Sequence, residues 1–286
     1  MTNSTPQHEH IQLNTSHIVS FLSDEFLSLL VDELNTENVT ALALVGSYAH
    51  GDATPYSDID VLCFVHEAPE RTRRYVYRDG RLIGISTRTI AQYRKRFTVP
   101  EEAIFVVPSI RDARVLLDKE GALAALQREA QAWTWEPLQA SANYYAGEVM
   151  MIQTESVHKI LRALLVHDEL ALAEMVILLF SAITDAVTVQ RGILATSGNT
   201  YFRQVQETVG QDSTWTQYHK VLAGVEIDTM PAAATSLEAR GIAALRLYQE
   251  TVQFLRPHLN PMHREVIEHS LIVIENALQA NKLPRS

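Results

Sequence analysis

A single cysteine, Cys63, stands in 286 residues. No internal disulfide can form, and a reducing cytoplasm is the expected location. Cys63 lies in the apolar run Val61–Val65, so it reads as a packed thiol rather than a reactive one. Long apolar runs are scarce. The stretch from Leu170 to Val187 is broken by Glu174 and Asp185, which makes it a buried core helix and gives no expectation of a membrane partner. The polar first residues lack the basic-then-apolar order of a secretory signal, and residues 1–15 are expected to be disordered. Positive charge is also in short supply: the net charge of −10 disfavours long nucleic acid as the main partner. Internal repeats and low-complexity tracts are missing.

What is present suggests two domains. The chain is long enough for two cores of ordinary size. Its charge is uneven: residues 71–96 hold nine Lys/Arg against Asp79 alone, so that segment is +8 and the remainder −18. Apolar residues at helical spacing predict a helix over 17–34. Ala41–Val45 and Asp58–Val65 read as buried strands. Arg74–Tyr77 and Arg81–Ser86 flank Asp79-Gly80, a two-residue hairpin signal. Ile104–Val107 and Ala113–Leu117 read as further short strands, followed by a helix over 120–132. From Glu136-Pro137 onward the pattern is helical, with runs at 138–166, 169–191, 236–256 and 261–280. The expected architecture is a mixed-sheet α/β domain over 16–135, then an all-α helical-bundle domain over 136–286.

The chemistry concentrates between Val45 and Val61. Asp58 and Asp60 are two apart in a predicted strand, so their side chains leave one face about 7 Å apart at the backbone. Neighbouring carboxylates repel unless a cation lies between them or one is protonated. Hard paired oxygens suit Mg²⁺, which completes its shell with phosphate oxygens. Gly46 lets the backbone turn tightly after a buried strand. Ser47 suits a helix N-cap whose first N–H groups attract an anion. A phosphate cradle, ten intervening residues and a carboxylate pair thus follow in order.

Gly46-Ser47, ten residues, then Asp58-Ile59-Asp60 resembles the motif of the nucleotidyltransferase superfamily. That superfamily includes the aminoglycoside and lincosamide nucleotidyltransferases and minimal nucleotidyltransferases paired with helical partners. The resemblance covers about 25 residues at motif level. It implies that Gly46 and Ser47 hold the triphosphate and that Asp58 and Asp60 bind Mg²⁺. The implied reaction moves a nucleoside monophosphate, AMP from ATP, to a hydroxyl of a small acceptor. The acidic remainder of the chain is compatible with a cationic, aminoglycoside-like acceptor.

One departure stands out. The family adds a third carboxylate from a later strand, whereas the run Arg81–Thr87 contains no acid, and Gly84 or Ser86 occupies that place. One reading takes the base from the helical domain. There Glu148, Glu155, Lys159 and Arg162 fall on one face of a helix over 138–166, with Glu148 or Glu155 as the base and Lys159 as a phosphate contact. The other reading is an antitoxin-like or regulatory module that binds nucleotide without turnover. Arg162 and His167 also resemble a ribonuclease motif of some helical partner domains.

Overall fold

The computed structural model describes residues 22–225 and 236–280. The expectation for residues 1–15 lies outside them. The described chain forms five strands and twelve α-helices, in two compact units that are not contiguous in sequence. One unit comprises the described residues up to Ile90 together with Asp112–Ala124; the other comprises Ala91–Arg111 and the described residues from Ala125 onward. The expected boundary at 135 therefore lies inside the second unit.

The first unit is built on a five-stranded mixed sheet. Its strands are β1 (Val39–Val45), β2 (Ile59–Val65), β3 (Arg73–Arg78), β4 (Arg81–Arg88) and β5 (Arg114–Asp118). Their spatial order is β3-β4-β2-β1-β5, with β2 and β4 parallel and every other pair antiparallel. Helix α1 (Asp24–Leu34) starts at Ser23, whose hydroxyl accepts from the Phe26 N–H at 3.1 Å. Its Phe26, Leu27, Leu30 and Leu34 pack on Leu42, Leu44, Ile59, Val61, Cys63, Ile83 and Ile85. Those strand residues alternate along β1, β2 and β4, so one sheet face is an apolar core and Asp60 leaves the other. Cys63 is buried and free, and burial pushes its thiol pKa up, as the reading of a packed thiol requires. The β3–β4 hairpin turns at Asp79 and Gly80 with φ of +50° and +74°, the left-handed pair that a tight hairpin needs.

The second unit is helical. It contains α3 (Ile90–Lys95, whose first residue falls in the first unit), α4 (Pro100–Arg111) and most of α5 (Ala122–Ala132). Helices α6 (Gln139–Ile152), α7 (Thr154–Val166) and α8 (Glu169–Arg191) follow, then α9 (Tyr201–Val209), α10 (Thr214–Ala223), α11 (Leu237–Leu255) and α12 (Pro261–Gln279). Helix α8 is long and apolar enough to cross a membrane by length and composition. Its Leu172, Met175, Val176, Leu179, Ile183, Ala186 and Val187 instead join the bundle core with residues of α6, α7, α10 and α11.

Two sequence expectations are corrected here. Ile104–Val107 is not a strand but the middle of α4. A short apolar run does not distinguish strand from buried helix, and Pro100 in the first turn, with Glu101 and Glu102 beside it, favours the helix. The run over 138–166 is two helices separated at Gln153, whose side chain accepts from the Ser156 hydroxyl at 2.7 Å. Glu148 therefore belongs to α6, while Glu155, Lys159 and Arg162 belong to α7.

Candidate active site

The candidate site sits where β1 ends and β2 begins. Val45 pairs with Asp60 across these antiparallel strands. Immediately after Val45, Gly46 adopts φ +68° and ψ −153°, a region open essentially only to glycine. The chain then makes a single helical turn, α2 (Ser47–His50), and leaves it through Gly51 at φ +82°. Gly46, not Ser47, occupies the N-cap position; Ser47 is the first helical residue, and no side chain caps the turn. The cause is backbone conformation, since a serine cannot take the dihedrals that Gly46 holds. His50, at the end of the turn, contacts Asp112 at 3.1 Å and so ties α2 to the segment entering β5.

The loop into β2 is internally bonded. The Thr54 N–H donates to the Ser57 hydroxyl at 2.8 Å, and the Ser57 N–H donates to the Thr54 carbonyl at 3.0 Å. Asp58 follows this turn, one residue before β2 starts, so its position is set by the loop rather than by the strand. Asp60 is the second strand residue, with Ile59 and Val61 buried on the opposite face.

The two carboxylates feel one another. The pKa of Asp60 is raised, first by partial burial and next by the charge on Asp58, while the Arg73 guanidinium acts in the opposite direction. Asp60 is also closely framed. A Cβ on Gly46 would lie 3.2 Å from its Oδ2, and a Cβ on Gly84 would lie 3.2 Å from its Oδ1. Two glycines thus leave space on both sides of one carboxylate. Arg73, on β3, places Nη2 3.9 Å from Asp60 Oδ1 and lies over the Tyr75 ring at 5.1 Å.

Arg73 did not stand out in the sequence from the other eight basic residues of 71–96. Only the strand register, which brings β3 beside β4 and β4 beside β2, separates it from them. Others in the run have structural partners: Arg78 pairs with Glu33, Arg94 with Glu129 and Arg96 with Glu102.

The helical-unit residues have their own contacts. Glu148 Oε1 is 2.6 Å from Nε2 of the buried His263, on α12. Glu155 and Lys159 form an exposed pair one helical turn apart at 2.7 Å. His167 ends α7 at φ +55°, a helix-stop conformation, and contacts Glu238; Arg162 pairs with Asp168 at 3.9 Å. The described residues contain no group of three or more His, Cys, Asp or Glu side chains placed to hold a metal.

A glycine bend thus stands beside a carboxylate pair on a mixed sheet. Residues 27–117 match the family model of the nucleotidyltransferase domain, so that segment of the chain is similar to nucleotidyltransferase domains. Nucleotidyl transfer is the class of chemistry that this domain serves. Over 84 residues the chain is 36% identical to a bifunctional uridylyltransferase/uridylyl-removing enzyme of Burkholderia orbicola (strain AU 1054), a match covering 27% of this chain and 10% of that protein. A protein of the same description from Burkholderia vietnamiensis is 29% identical over 145 residues, covering 48% of this chain and 16% of its own length. The chain thus spans only a small part of these curated relatives. A nucleotidyltransferase-like protein of known structure from Exiguobacterium sibiricum 255-15 aligns with 88% of this chain and 87% of its own, at 10% identity and a TM-score of 0.45.

Proposed function

We propose that the protein transfers a nucleoside monophosphate from a Mg²⁺-bound nucleoside triphosphate to a hydroxyl of a small molecule, with AMP from ATP as the group moved. The observation that carries this reading is the coupled pair Asp58 and Asp60 beside the bend at Gly46, inside residues 27–117. The donor set fits a hard divalent cation: two neighbouring carboxylates repel each other, and a cation held between them relieves that repulsion. Asp58 and Asp60 would hold the ion, which when bound neutralises charge on the triphosphate. Gly46 and Ser47 would cradle the phosphates through backbone N–H groups, since no Cβ obstructs the approach at 46.

In the reaction the acceptor oxygen forms a bond to the α-phosphorus, the bond from that phosphorus to the bridging oxygen breaks, and pyrophosphate leaves. The acceptor proton passes to a base, for which Glu148 and Glu155 are the candidates. The acidic balance of the chain outside 71–96 suits a cationic acceptor, as in an aminoglycoside.

The test is Mg²⁺-dependent ATP binding by the Asp58→Asn/Asp60→Asn variant. Binding that matches the wild type would overturn the assignment. A second reading is uridylyl transfer, suggested by the similarity to the Burkholderia uridylyltransferases, with a small molecule or a protein as acceptor. Radiolabelled UTP and ATP, each supplied with a hydroxylated acceptor panel and with cell protein, separate the two. Failure to release pyrophosphate with any acceptor and either nucleotide would instead favour a module that binds without turnover.

A further inference from the structure

The position facing Asp60 has no side chain. Asp60 pairs with Gly84 across β2–β4, and Gly84 pairs with Tyr75 across β4–β3, so the three lie in one row on one sheet face. A Cβ on Gly84 would stand 3.2 Å from Asp60 Oδ1 and also 3.2 Å from Tyr75 Cε1. Carboxyl and ring therefore close over the place where a third acid would project. Arg73, two residues from Tyr75 on β3, leaves that same face. Its guanidinium lies over the Tyr75 ring and is the charged group that the structure sets against Asp60 Oδ1, at 3.9 Å.

The charge balance differs from that of a three-carboxylate site. Asp58 and Asp60 together carry −2, and Arg73 brings the cluster to −1. One divalent ion turns it to +1, a balance that suits an incoming triphosphate. A second would have to enter beside a guanidinium with no further anionic oxygen from β4, which is unfavourable for a cation that demands a nearly complete shell of oxygens. The Arg73 side chain is more than half exposed, at 57%, so it is not enclosed by its neighbours. A planar fork of donors beside a metal-binding carboxylate matches phosphate oxygens in both charge and shape.

We propose that this site works with one divalent ion, and that Arg73 stands in the electrostatic place of a second by contacting the triphosphate directly. The proposal rests on the reading of Asp58 and Asp60 as holders of a metal–nucleotide, and it adds a residue and a metal count to that reading. It assigns Arg73 rather than the neighbouring Arg74, because β-strand alternation sends Arg74 to the other face, where it lines a cavity of about 480 Å³ with Cys63 and Ile85.

The test is electron paramagnetic resonance of Mn²⁺ with the full chain and a non-hydrolysable ATP analogue. Two Mn²⁺ ions bridged by phosphate and carboxylate lie about 3.5–4 Å apart and couple magnetically; a single ion does not. The expected result is a protein-bound, uncoupled signal. Arg73→Ala is expected to weaken analogue binding at least tenfold, Arg73→Lys to restore part of that loss, and Arg74→Ala to leave it unchanged. A coupled spectrum overturns the proposal while leaving the metal–nucleotide reading intact, as does unaltered analogue affinity in Arg73→Ala. No protein-bound Mn²⁺ at all overturns both.

Discussion

Gly46 and Asp60 are in close register at the junction of β1 and β2: a methyl group on Gly46 would stand 3.2 Å from Asp60 Oδ2. The glycine also holds φ +68° and ψ −153°, which costs any other residue about 1–3 kcal/mol. Gly46→Ala is therefore expected to lower stability by that amount and to displace Asp60, weakening metal-dependent nucleotide binding more than tenfold. Urea unfolding and calorimetric titration measure the two effects. Wild-type affinity in a folded Gly46→Ala protein would show that the bend does not frame the site.

Glycine acts differently inside α6. Gly147 faces His263 so closely that a Cβ would lie 2.2 Å from Nδ1. Replacing a mid-helix glycine with alanine ordinarily stabilises by up to about 1 kcal/mol. Here the added methyl would push α12 away, and a net loss of roughly 1–3 kcal/mol is expected. A raised melting temperature for Gly147→Ala would refute this account of the α6–α12 contact.

His219 gives the helical unit an acid-side weakness. It is fully buried, stacked on Trp215 at 4.7 Å and bonded to Thr184 at 3.0 Å and Gln206 at 2.9 Å. Burial lowers its pKa from 6.5 to about 4. Between those values the unfolded chain binds the proton and the folded chain does not, so stability falls as pH drops through that window. The full contribution is roughly 3 kcal/mol. Urea midpoints measured from pH 7 to pH 4 are expected to fall less steeply for His219→Gln than for the wild type; equal slopes would remove His219 as the cause.

The two candidate bases can be told apart. Glu155 is exposed and pairs within its own helix, so Glu155→Gln will leave the melting temperature unchanged, and a fall in kcat alone would assign it proton transfer. Glu148 holds buried His263, so Glu148→Gln will lower the melting temperature whatever its chemical role. Only a kcat loss in folded protein, measured well below that melting temperature, counts toward catalysis. Wild-type kcat in both variants would exclude the pair.

Much of the first unit was legible because its signals are local. Short apolar runs exposed β1 and β2, Asp79-Gly80 marked the hairpin, and the glycine with two spaced aspartates marked the candidate site. Helix α4 was not legible, because Ile104, Val107 and their β-branched neighbours satisfy strand and helix alike until tertiary packing decides. Ser47 is a good capping residue by type, yet the dihedrals at Gly46 moved the cap back by one. Arg73 was hidden for a further reason. Its partner Asp60 lies two strands away, through a parallel pairing whose register no short sequence window contains.

The discontinuity of the sheet unit bears on how the chain can be cut or synthesised. Strand β5 borders β1, yet Ala91–Arg111 must emerge before it does. A fragment ending ahead of Arg114 would leave one long side of β1, Ala41 to Leu44, with unsatisfied backbone groups on an apolar strand. Such an edge recruits other chains, so truncations there are expected to yield aggregates, and nascent protein passes through a stage that favours protection by a chaperone.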